Sequence, residues 1–168
     1  MSAILSLLAA INPSGGGGGG SDVELYASNS NAGTSITITL AAPLVNGAIV
    51  LLGRYEPNLG TNSATFDGAA MTYHGGVGIG GRNVYAHVLA VGNKAAGTYT
   101  ATLTISTYGI QITQILAFNN VNQTTPAGTL VNQSTAGVSS MTLSPASAVG
   151  DMAIAVSTIQ GQAPHATT

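Results

Sequence analysis

Cysteine and tryptophan are absent from the chain, and Asp, Glu, Lys and Arg together supply only 5% of its 168 residues. Without cysteine there is no disulfide framework and no thiolate metal site, so packing and backbone ladders alone must hold the fold. Soluble domains usually carry about 25% charged residues. Here three basic residues (Arg54, Arg82, Lys94) and five acidic ones (Asp22, Glu24, Glu56, Asp67, Asp151) serve the whole surface. Three scattered cations cannot form the Lys/Arg stripe that displaces counterions from phosphates, which argues against nucleic-acid binding. Repulsion between like-charged surfaces normally keeps free domains apart. A surface this short of ions, covered by Thr, Ser, Asn and Gly, suits a subunit packed in an assembly or an extracellular module.

No basic residue precedes Arg54, so the apolar start MSAILSLLAAI lacks the positive flank of a signal peptide. It is also shorter than the roughly 20 apolar residues that span a bilayer, so no membrane partner is expected. Ile4, Leu5, Leu7, Leu8 and Ile11 follow the three-and-four spacing of a helical stripe, which Asn12-Pro13 would stop. A helix this short is marginal alone and should dock on something. Ser14 and six consecutive glycines, 15–20, follow as a tether with no side chain to pack. Two dockings stay open: an anchoring arm whose Ile4, Leu5, Leu7, Leu8 and Ile11 reach a neighbouring subunit, or a helix folded back on its own domain. An engineered linker is a third reading. The expected organisation is an apolar arm at 1–14, a glycine tether at 15–21 and one β domain over 22–168, incomplete at its C-terminus.

From Val23 onward the period changes to two, broken every ten or so residues by Gly, Pro, Asn or Asp. In TSITITL (34–40) Ile36, Ile38 and Leu40 share one face and Thr37 and Thr39 the other. Residues 99–105 repeat the device, with Tyr99, Ala101, Leu103 and Ile105 inward and Thr98, Thr100, Thr102 and Thr104 outward. Further strands are expected at 23–28, 47–55, 63–66, 71–74, 83–91, 109–118, 129–133, 139–143 and 152–159. The run AIVLLG (48–53) is apolar on both faces, as in a central strand covered on both sides. A phase slip at Gln114 predicts a bulge. These features predict an all-β, two-sheet antiparallel sandwich with jelly-roll or Ig-like Greek-key connections, a closed barrel being the second arrangement.

Little in the chain points to chemistry. A G-x-G-x-x-G string spans Gly76 to Gly81, but a strand-like segment (RNVYAHVLAV) follows where a dinucleotide site needs a helix, so a hairpin tip is expected. Glu56 and Asp67 are the closest mid-chain carboxylates, yet no aromatic platform accompanies them, and pairing with Arg54 or Arg82 is the expected state. His74 and His87 could meet on neighbouring strands, but no third metal ligand is indicated. Asp22, Glu24 and Asp67 resemble no calcium loop. There is no G-x-S-x-G elbow. Asn122-Gln123-Thr124 and Asn132-Gln133-Ser134 match the glycosylation pattern formally, without a secretion signal. No catalytic, cofactor-binding or metal residue is therefore assigned, and an enzyme is not expected.

Three stretches, FDGAAMTYH (66–74), YAHVLAVGNKAAGTYTAT (85–102) and ILAFNNVNQTTP (115–126), resemble a group of β-sandwich domains of bacterial extracellular proteins and tailed-phage virion proteins. The likeness covers about two thirds of the chain and consists of turns and strand patterns, so it speaks for fold more than for function. This chain has Lys94-Ala95-Ala96-Gly97 where the group usually has a proline before the Ala-Gly turn, and it stops at residues 160–168 where members continue into further strands. Either the chain is a shortened one, or a neighbour supplies the missing edge by strand addition. The leading expectation is a virion structural protein of a tailed phage, a capsid-decorating or cement subunit or a fibre component. It would self-associate and bind other virion proteins, without a cofactor, assembling in the host cytoplasm, as Met1 with no export signal suggests. The alternatives are a secreted carbohydrate-binding or adhesion module, using Tyr26, Tyr55, Tyr73, Tyr85, Tyr99 or Tyr108 against a surface glycan, and an extracellular filament subunit.

Overall fold

A computed structural model describes residues 3–12, 22–55, 62–79, 82–105, 112–136, 142–144 and 146–160. They form eleven strands and no helix: β1 (Ala3–Ile11), β2 (Glu24–Asn31), β3 (Ser35–Leu40), β4 (Leu44–Tyr55), β5 (Asn62–Phe66), β6 (Ala69–Ile79), β7 (Arg82–Lys94), β8 (Gly97–Ile105), β9 (Ile112–Asn119), β10 (Val131–Ala136) and β11 (Met152–Gln160). Ten coincide with segments that the alternation marks as strands, and the eleventh is β1. The expected strand at 139–143 falls mainly outside the described residues, and the glycine tether lies wholly outside them.

The N-terminal run is a strand and not a helix. β1 is the middle of a three-stranded sheet of order β10-β1-β11. It pairs antiparallel with β10 from Ala3↔Ala136 to Leu8↔Val131, and with β11 from Ala3↔Gln160 to Ile11↔Met152. A short apolar run satisfies a helical stripe and a doubly flanked strand equally well, so periodicity does not separate them. Two ladders satisfy its backbone along most of its length, which a marginal nine-residue helix could not match.

The other eight strands form one sheet of order β2-β9-β4-β7-β6-β5-β8-β3, which nearly closes into a barrel. The two-sheet sandwich is therefore corrected, with its jelly-roll and Ig-like variants. The cause is β6. Its first residues, Ala69–Met71, pair with β5, while Thr72 to Ile79 pair with β7, and a register shift between Tyr73 and Gly75 lets the strand bend from one partner to the other. One strand thus joins what the sequence pattern would divide into two sheets. At the seam between the end strands, the Asn29 and Asn31 side-chain amides of β2 donate to the Thr37 and Ser35 carbonyls of β3, at 2.7 and 3.2 Å.

Both faces of the central strands are buried, as AIVLLG predicts. Ile49 and Leu51 of β4 point into the barrel with Ile36, Ile38, Phe66 and Leu103. Ala48, Val50 and Leu52 point outward into a second cluster with Val84, Val88, Leu116 and Phe118, which Met152 and Ile154 of β11 help to cover. Each large side chain so removed from water contributes roughly 1.5–3 kcal/mol. β9 shows why Gln114 seemed out of phase. Thr113, Ile115 and Ala117 are buried on one face and Leu116 and Phe118 on the other, in unbroken register with β4. The bulge lies instead in β2, between Leu25 and Ala27.

The turns carry the residues their backbone demands. Asp67 and Gly68, at φ of 50° and 80°, make the two-residue turn between β5 and β6, where left-handed conformation favours Asp-Gly. Asn46 and Asn120 also lie at positive φ. Around them the Asn119 and Asn93 side-chain oxygens accept from Val45 N and Asn46 N at 2.9 and 3.0 Å, satisfying backbone groups where the ladder shifts.

Candidate functional site

A groove of about 480 Å³ runs between the outer face of the β6–β7 hairpin and the segment after β9. Thr72 and His74 of β6, Val88 and Ala90 of β7, and Gln123 and Pro126 of the segment line it. Gln123 fixes that segment: its Oε1 accepts from Gly92 N at 2.8 Å, and its Nε2 donates to the Gly47 and Val121 carbonyls at 3.1 and 2.9 Å. Asn122 Oδ1 accepts from Thr124 N and Thr125 N, both at 2.9 Å, so this asparagine caps a turn. His74 Nε2 lies 2.7 Å from the Gly128 carbonyl, which can only accept, so the proton sits on Nε2. The groove contains no Asp, Glu, Lys or Arg. It offers neutral hydrogen-bonding groups and apolar walls, with no acid–base pair.

His87 lies on the opposite face of the same hairpin, inside the barrel. It is fully buried, with ring centroids 5.3 Å from Tyr73 and 5.7 Å from Tyr85. Among the described residues neither ring nitrogen has a hydrogen-bond partner, nor does Nδ2 of the buried Asn83. Burial lowers the pKa of His87 to about 4 by removing the hydration of its charged form. Gly53 sits across from Tyr85 on β4, and any β-carbon there would collide with the tyrosine ring and hydroxyl. His74 and His87 therefore do not converge on a metal.

The carboxylates are dispersed. Asp67 pairs with Lys94, at 2.6 Å, and the Lys94 ammonium also lies 4.3 Å from the centroid of the Tyr99 ring. Glu56 lies outside the described residues. Asp22 and Glu24 are exposed, and Asp151 accepts from Ala148 N within a turn. Among the described residues no three His, Asp or Glu side chains gather as metal ligands. Gly76 and Gly78 lie within β6, so the G-x-G-x-x-G string opens no helix; Gly80 and Gly81 are outside the described residues. Of the tyrosines, Tyr73 is 47% exposed and Tyr85 is buried. Tyr26 and Tyr99 are half-buried, and Tyr108 and the side chain of Tyr55 lie outside what is described.

What the fold does assemble is a field of hydroxyls. β3, β8 and β5 are neighbours, and their outward residues align as Ser35↔Thr102, Thr37↔Thr100, Thr39↔Thr98, Thr65↔Thr102 and Ser63↔Thr104. All are exposed except the half-buried Thr65, and the Thr39 and Thr98 hydroxyls lie 3.1 Å apart. The alternation shows each row of threonines, but not that non-consecutive strands place the rows side by side. Ile4, Leu5, Leu7, Leu8 and Ile11, expected to serve assembly, all lie on β1, and Ile11 is buried in the outer core of its own chain. No family model, curated protein or solved structure matches the chain.

Proposed function

We propose that this chain is a structural subunit that acts by association with copies of itself and with other proteins, in the setting of a tailed-phage particle. The observation that carries the reading is a surface with hydroxyl rows across three adjacent strands and only 5% charged residues in the whole chain. Such a surface has little like-charge repulsion to oppose contact. The groove adds neutral hydrogen-bonding groups without an acid–base pair, which gives association more support than catalysis. The carbohydrate-binding alternative has less to stand on, since Tyr73 is the one tyrosine with a largely exposed side chain among the described residues. Electron microscopy of the protein purified from its native source tests the reading. The expected result is a shell, fibre or other regular particle that contains the chain. Its recovery as a separate soluble species that turns over a substrate would contradict it.

A further inference from the structure

The strand edges of this molecule are not equally protected. In the large sheet, β2 begins with the charged Glu24, carries a bulge, and has its seam to β3 bridged by Asn29 and Asn31. In the small sheet, β10 has six residues, with Asn132, Gln133 and Ser134 exposed. These are recognised ways of discouraging unwanted pairing: short length, charge, bulges and cover. β11 is long, uncharged and free of bulges. Its nine residues, MAIAVSTIQ, contain no charge, proline or glycine, and they stay in register with β1 without interruption from Met152↔Ile11 to Gln160↔Ala3. Among the described residues its other side pairs with no strand. Met152 and Ile154 are packed against the outer core, which fixes the strand, while Ala153 and Ala155 are exposed.

We propose that β11 pairs antiparallel with β11 of a second copy across a two-fold axis, making a continuous six-stranded sheet from two small sheets. A second copy is the occupant the chemistry favours, because an uncharged strand meets itself in antiparallel register with no like charges opposed. An edge that is self-complementary in this way gives the isologous contact of the commonest homo-oligomers. β1 is occupied on both sides within its own chain, so β11 offers the available edge of this sheet's apolar half. The inference rests on the reading of the chain as an assembly subunit and supplies its first contact.

The test compares three full-length proteins by light scattering after size exclusion: wild type, the double variant Ala153→Lys plus Ala155→Lys, and the control Ser134→Lys on β10. Circular dichroism monitors the fold. The expected result is a wild type and control of at least twice the chain mass, and a double variant at the chain mass with an unchanged spectrum. Hydrogen exchange of the wild type gives a reading free of mutation: β11 amides should exchange more slowly at high protein concentration than at low, with β10 amides unchanged. An assembled wild type whose mass resists the lysines, with β11 exchange independent of concentration, overturns this interface and leaves the assembly reading standing. A wild type that is monomeric at every concentration overturns the interface and removes self-association from that reading. If the lysines disturb the fold, the exchange measurement decides.

Discussion

At the scale of single residues, His87 ties stability to pH. Its folded-state pKa of about 4 lies below the ordinary value of 6.5, so the unfolded chain binds this proton more readily than the folded one. Stability rises with pH wherever the unfolded state holds more protons. The contribution is therefore complete above about pH 6.5 and is lost as the pH falls toward 4, by roughly 3 kcal/mol across that window. Urea unfolding at several pH values should show this decline, and H87L, which removes the titrating group from the same buried place, should flatten it. A wild type and H87L with the same pH dependence would mean that His87 is not buried as described. The sequence showed His87 on a strand but not its face. In RNVYAHVLAV both alternating sets are compatible with burial, and only the small sheet packed outside explains why both are used.

At the scale of elements, the Gln123 side chain staples the segment after β9 to the shifted ends of β4 and β7 through two hydrogen bonds to their backbone, with a third to Val121 in its own segment. Truncation in Q123A leaves Gly92 N and the Gly47 carbonyl to find other partners. A loss of about 1–3 kcal/mol is expected from the urea midpoint, with faster hydrogen exchange at Gly92 as the local signature. No change in either would show that water replaces the amide without cost. Strands were the legible part of this molecule: period two and turn residues located ten of them, and the inward positions Ile36, Ile38, Leu40, Ala101 and Leu103 are buried. What remained hidden is non-local. Nothing in AAMTYHGGVGI shows that β6 changes partner after Met71, and that change makes one nearly closed sheet of two expected ones. The reading of Ile4 to Ile11 as helical failed for a related reason, since its ladder partners lie more than a hundred residues away.

At the scale of the whole molecule, low charge and open edges point the same way. The barrel buries its central strands β4, β7 and β9 on both faces, while the outside presents Ser and Thr rows, neutral groove walls and the uncharged β11. Contacts made by such a surface depend on buried apolar area and backbone pairing, neither of which salt screens. Sedimentation velocity of the wild-type chain over a wide range of concentration, at low and at high salt, measures this directly. The account predicts mass-action association that persists or strengthens at high salt, whereas a chain that stays monomeric at every concentration in both would contradict it.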